Sequence, residues 1–172
     1  MRFENTKEIK TKRLVLRSFS DSDEAKMTEL FSSDEIAKTY MMPDLPSDDE
    51  KKKLFQYFKT LSESPERFVR GIYLLDILIG FMNDVGIGED DVELGYVIDP
   101  KYKNNGYATE ALSAAIDAIH SIGFSSVRTG AFSENAASIR VMEKVGMVRL
   151  DIEERIEYRG VSHSCVYYAK RK

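Results

Sequence analysis

Glu93-Leu94-Gly95-Tyr96-Val97-Ile98-Asp99-Pro100-Lys101-Tyr102-Lys103-Asn104-Asn105-Gly106-Tyr107-Ala108-Thr109-Glu110 passes from strand to loop to helix in one short span. Val92 to Ile98 reads as a strand, and Asp99-Pro100 ends it. A polar loop then opens directly into the strongest helical pattern of the chain. Ala108, Ala111, Leu112, Ala115, Ile116 and Ile119 recur at i, i+3, i+4, i+7, i+8 and i+11, and Gly123 supplies a left-handed stop. The first turn of such a helix carries free backbone N–H groups and the positive end of the dipole, so it attracts phosphate oxygens. Gly106 and Ala108 are small enough to let a diphosphate approach the main chain. Thr109 adds a hydroxyl, and Lys103 adds a charge. The same residues also make an ordinary loop and helix start, so this pattern alone leaves both readings open. No Gly-Lys-Ser/Thr ending and no Gly-x-Gly-x-x-Gly occurs, which excludes a Walker loop and a dinucleotide fingerprint.

Upstream of this span, Arg13 to Arg17 alternates as a first strand, with Leu14 and Leu16 on one face. Ser20-Asp21-Ser22-Asp23 offers caps for a helix through Ala25, Leu30 and Phe31. Pro43 and Pro46 break the chain. Ser47 and Glu50 then form a capping box for a helix that buries Leu54, Phe55, Phe58 and Leu61. Phe68 to Leu75 and Ile77 to Asn83 read as neighbouring strands, with Gly86 to Asp91 as a connecting loop. Downstream, Ser126 to Phe132 is a strand, and Ile139, Met142 and Val145 mark a short helix closed by Gly146. Val148 to Glu157 and Ser162 to Ala169 form a terminal hairpin around Arg159-Gly160. Helices and strands alternate without a run of regular βαβ units, which predicts a mixed α/β domain, a sheet covered by helices.

Composition bounds the function. At 172 residues one domain, 1–172, is expected, and 42% hydrophobic with 31% charged residues describes an ordinary soluble globule. A net charge of −4 argues against a dedicated nucleic-acid binder. Cys165 is the one cysteine, so no internal disulfide forms. With two histidines it makes a poor metal set, and none is expected. The charged start, MRFENTKEIKTKR, lacks the apolar stretch of a signal peptide, and the apolar region Ile72 to Met82 is too short to span a bilayer. A cytoplasmic protein without membrane contact is expected, as a monomer or homodimer.

Lys103-Asn104-Asn105-Gly106-Tyr107-Ala108 resembles the Arg/Gln-x-x-Gly-x-Gly/Ala signature of the GNAT superfamily of acetyl-CoA-dependent N-acetyltransferases. Several neighbouring pieces resemble its RimJ/RimL-type branch. They are Thr11 to Arg17 as the opening strand, Glu93 to Ile98 as the acceptor-side strand, Asn135-Ala136-Ala137-Ser138, and Glu143-Lys144-Val145-Gly146-Met147. The likeness runs from about Thr11 to Tyr168 in the expected order. Lys103 departs from the commoner Arg or Gln, and Met147 from an aromatic.

The resemblance implies a GNAT-like, mostly antiparallel twisted sheet, splayed between the Val92–Ile98 and Ser126–Phe132 strands, with helices on both faces. It implies acetyl-CoA as co-substrate. The pantetheine arm would lie along the backbone of Tyr96, Val97 and Ile98, and the diphosphate on Lys103, Asn104, Asn105, Gly106, Tyr107, Ala108 and Thr109. Asn135 would reach the arm from the other side. The partner is a primary amine, either a protein N-terminus of the ribosomal-protein type or a small amine. The competing class is a non-catalytic acyl-CoA-sensing module. Glu93 is read as the base that deprotonates the amine through water, or as a carboxylate that only orients substrate. Ser138 is read as donor to the departing thiolate or as part of a helix cap; the tyrosine many GNAT enzymes use for this is replaced by Met142. Tyr167 and Tyr168 read as core and rim aromatics, His120 as solvated, His163 as a hairpin residue and Cys165 as a small buried hydrophobe.

Overall fold

The strands are β1 (Glu8–Lys10), β2 (Leu14–Arg17), β3 (Val69–Leu74), β4 (Ile77–Ile87), β5 (Asp91–Ile98), β6 (Ser126–Phe132), β7 (Val148–Tyr158) and β8 (Val161–Arg171). In the computed structural model, which describes residues 3–172, they form one sheet in the order β1-β2-β3-β4-β5-β6-β8-β7. Every neighbouring pair is antiparallel except β5 with β6.

Helices cover both faces. The strand residues Leu14, Leu16, Ile72, Ile79, Val92 and Leu94 bury one face against Leu112, Ile116 and Ile119 of α4 and Met142 of α5. On the other face Val69, Tyr73, Phe81 and Val97 pack against Met27 and Leu30 of α1, Ile36 of α2 and Phe55 of α3. These helices are α1 (Glu24–Phe31), α2 (Asp34–Ala37), α3 (Asp48–Glu63), α4 (Tyr107–Ser121) and α5 (Ala136–Lys144). The alternation along β5 therefore divides its side chains: Val92 and Leu94 look toward α4, Val97 toward α1 and α3. The capping box forms as the spacing requires, with Glu50 N–H donating to Ser47 Oγ at 3.2 Å and Ser47 N–H to Glu50 Oε2 at 3.0 Å.

Three local features differ from the sequence reading. β4 does not end at Asn83 but continues through Gly86 and Ile87, which pair with Glu93 and Val92 after a register shift past Val85. The shift turns Val85 outward, and an irregular period hides the strand's second half. β1 is three residues of alternating charge at the sheet edge, with no apolar period to reveal it. His120 is buried rather than solvated, in the last turn of α4, where Lys172 Nζ donates to its carbonyl at 3.1 Å.

Candidate active site

β5 and β6 pair over three positions only: Asp91 with Ser126, Val92 with Val127 and Glu93 with Arg128. Past that point β5 stays with β4 as far as Ile98, and β6 stays with β8 as far as Phe132. The two strands part like a fork. From Leu94 onward one edge of β5 has no ladder partner among the described strands, so the N–H and C=O groups there are open to an extended ligand lying beside the strand.

The start of α4 stands beside this open edge. Gly106 takes a left-handed φ of 78° and carries no side chain to cap the helix. The first intrahelical bond is Glu110 N–H to Gly106 C=O, 3.0 Å, which leaves the amides of Tyr107, Ala108 and Thr109 ahead of the ladder. The loop is braced from outside: Glu110 accepts from Arg13 Nε at 2.7 Å and from Thr11 Oγ1 at 2.5 Å, and Arg13 donates to the Asn105 carbonyl at 3.0 Å.

On the far side of the fork, Asn135 caps α5. Its Oδ1 accepts from Ser138 N–H at 3.2 Å, and its Nδ2 donates to Ser138 Oγ at 3.1 Å. The Ser138 hydroxyl thus accepts from Asn135 and keeps its own proton for another acceptor. Tyr96 reaches across from β5 and donates to the Ser138 carbonyl at 3.3 Å; burial pushes its pKa up to about 12. Met142, the residue in the place of the usual tyrosine, is fully buried in the core.

One cleft of about 390 Å³ gathers Tyr96, Val97, Ile98, Lys103, Asn104, Gly106, Tyr107, Ala108, Thr109, Asn135 and Ser138. Two predicted residues stand outside it. Asn105 turns its amide back onto the carbonyls of Tyr102 and Lys103, at 3.1 and 2.9 Å, and shapes the loop. Glu93 sits where the fork begins, half-buried and 3.0 Å from Arg128 Nε. Burial, opposed by Arg128 and helped by Glu154 and Asp91, holds its carboxyl above the ordinary glutamate range.

The reading of the sequence missed Arg140 and Lys144, which line the same cleft from α5. Their spacing of four residues after an Asn cap was the available signal. With Lys103 they give the cleft three cations and no carboxylate, in a chain whose net charge is −4. Neither Arg140 nor Lys144 has an ion-pair partner among the described residues, while Lys103 pairs with Glu35. Among the described residues no group of three His, Cys, Asp or Glu could hold a metal ion, and no helix is long and apolar enough to cross a membrane.

An open strand edge, free first-turn amides and three lining cations suit a long ligand with a peptide-like arm and a diphosphate. Residues 13–148 match the acetyltransferase (GNAT) domain family, and the chain belongs to that family, with acetyl-CoA as its acyl donor. It is 32% identical over 143 residues to the uncharacterized N-acetyltransferase YnaD of Bacillus subtilis (strain 168), covering 82% of each chain. The crystal structure of a GNAT-family acetyltransferase from Bacillus anthracis shares the fold with a TM-score of 0.82 at 26% identity, over 95% of this chain and 98% of that one. RimL, a ribosomal L7/L12 alpha-N-protein acetyltransferase, shares the fold at a TM-score of 0.84 and 18% identity, over 96% of this chain and 94% of that one.

Proposed function

We propose that residues 1–172 form a single RimJ/RimL-type N-acetyltransferase domain. It moves acetyl from acetyl-CoA to a primary amine by direct attack in a ternary complex. The acceptor is a protein N-terminus of the ribosomal type or a small amine. The carrying observation is the cleft in which the open β5 edge meets the first turn of α4 amid three cations and no carboxylate.

In this reading the amides of Tyr107, Ala108 and Thr109, with Lys103, Asn104 and the small residue Gly106, bind the diphosphate, and Arg140 and Lys144 add charge. Asn105 holds the loop's shape. Tyr96, Val97 and Ile98 bind the pantetheine amides as another strand would, and Asn135 meets the arm opposite. The thioester supplies an activated acetyl group and a thiolate leaving group. A backbone N–H near Val97 polarises the carbonyl. Glu93 takes one proton from the ammonium through water, and the freed lone pair forms the new C–N bond as the C–S bond breaks. Ser138 gives a hydrogen bond to the departing sulfur, or passes it a proton that solvent restores to the hydroxyl. The amine nitrogen sheds its second proton to solvent, so the products are the amide, CoA thiol and one proton. A cytoplasmic setting suits the reading, since Cys165 is a free thiol and the donor is an intracellular metabolite.

The test is thiol release from acetyl-CoA with a panel of amines, joined to mass spectrometry of acetylated N-terminal peptides. Amine-dependent release is expected. Tight acetyl-CoA binding without release for any amine or peptide would instead identify a sensing module.

A further inference from the structure

The fork has a second side, away from α4 and α5. Because β5 and β6 run parallel with Glu93 opposite Arg128, Gly95 and Gly130 stand level with each other two residues further along, on the side Glu93 faces. An aromatic ring fills the space above each glycine. A Cβ on Gly95 would lie 3.1 Å from Tyr40 Cε2, and one on Gly130 would lie 2.8 Å from Tyr167 Cε1. Tyr40 comes from the segment after α2 and Tyr167 from β8, so the rings reach the fork from opposite directions. Tyr40 also lines the donor cleft, which joins the two sides.

Both hydroxyls are anchored. Tyr40 donates to Asn83 Oδ1 at 2.6 Å, and Tyr167 donates to Glu154 Oε2 at 2.8 Å. The second contact is unequal to the first, because it fixes a charge. Glu154 has no cationic partner among the described residues, and a phenol does not neutralise it. Glu93 by contrast shares Arg128 with Asp91, at 3.0 and 3.4 Å. Glu154 pairs with Cys165 across β7 and β8, Tyr167 with Gly130 across β8 and β6, and Arg128 with Glu93 across β6 and β5, so alternation puts Glu154, Tyr167 and Glu93 on one side of the sheet.

We infer that Tyr40 and Tyr167 wall the acceptor's path into the fork, and that Tyr167 is a positioning residue that holds Glu154 for a second positive charge on the acceptor. The substrate class is a primary amine bearing another cationic group, an aliphatic diamine or polyamine being the simplest. The reacting ammonium goes to Glu93 and the second cation to Glu154, while the ring faces on either side favour cations over neutral groups. This inference rests on the acetyltransferase reading above.

The probes are 1,4-diaminobutane and 4-aminobutan-1-ol, matched in length and in the reacting amine and differing in the second charge. The protein should show a KM for the diamine lower by roughly fivefold, the scale of one exposed ion pair. Tyr167→Phe keeps the ring and Glu154→Gln keeps the shape. Each should erase that gap with kcat held within about twofold, and the double variant should do no more than either single one, since both act through one contact. Acetyl-CoA affinity by calorimetry should not move. Equal KM values in the parent protein, a gap that persists in the variants, or equal loss for both amines would overturn the inference. So would the absence of turnover with either amine in a protein that binds acetyl-CoA. Failure to bind acetyl-CoA would instead remove the donor reading beneath it.

Discussion

At the scale of single residues, the roles proposed for Glu93 and Ser138 invite separate tests. Glu93→Gln should lower turnover most where the amine is protonated, with partial recovery at higher pH as the amine loses its proton unaided; initial rates across pH measure this. Equal loss at every pH would show a positioning role. The fold should tolerate the change. A carboxyl held above its unfolded pKa adds stability only at low pH and loses it as pH rises through the folded value, so removing the charge at neutral pH costs nothing through this linkage. Ser138→Ala should reduce turnover by about 10²-fold at most, the low end of general acid catalysis, with acetyl-CoA affinity kept. Normal turnover, or loss of CoA binding, would leave Ser138 a helix-cap residue. The Asn-x-x-Ser pairing was legible because a cap needs an acceptor three residues ahead of an amide. The unequal partners of Glu93 and Glu154 were not: Arg128 comes to Glu93 from another strand more than thirty residues away, and Tyr167 meets Glu154 only through the register of the last hairpin.

At the scale of elements, α4 shows how a local pattern builds half of the proposed binding site. Its apolar stripe sets the face that packs, and the left-handed Gly106 sets where its free amides begin. Gly106→Val meets both constraints. A branched side chain at φ 78° is strained by about 1–2 kcal/mol, and it also screens the amides from a diphosphate. We expect Tm to fall by only about 2–8 °C while acetyl-CoA affinity falls more than tenfold by calorimetry. A loss of affinity no larger than the loss of stability would displace the diphosphate from this turn. Helices announced themselves well here, since periodicity and caps are local. Strands without alternation did not: β1 and the bulged end of β4 owe their pairing to neighbours, not to their own residues.

At the scale of the whole molecule, a seam of ion pairs ties α1 and α2 to the loop between β5 and α4. Lys26 meets the buried Asp99 at 2.5 Å, Lys101 meets Glu29 at 2.7 Å, and Lys103 meets Glu35. Burial opposes the charge on Asp99, yet the contacts from Lys26 and the Lys101 amide outweigh it and hold the carboxyl below its ordinary range. The stability this adds is present above the unfolded pKa and is lost as pH falls through the depressed folded value. Asp99→Ala should therefore destabilise the protein by about 3 kcal/mol at neutral pH, the low end for breaking a buried pair because Glu29 still holds Lys26. Chemical denaturation should show the difference shrinking in acid.

The loop-to-helix junction, the Ser47 and Asn135 caps and the order of the longer elements were determined by the sequence alone, since each depends on residues within a few positions of one another. Small residues before a strong amphipathic helix mark a candidate anion site without excluding an ordinary helix start. Tertiary structure decided the rest. The parting of β5 from β6 beyond Glu93 depends on which strand each keeps as its other neighbour. Arg140 and Lys144 became cleft cations only when α5 was laid across the fork. Tyr40 and Tyr167 became facing walls only when two distant segments folded over Gly95 and Gly130. Such juxtapositions are set by the summed packing of both sheet faces, which no short window of residues contains.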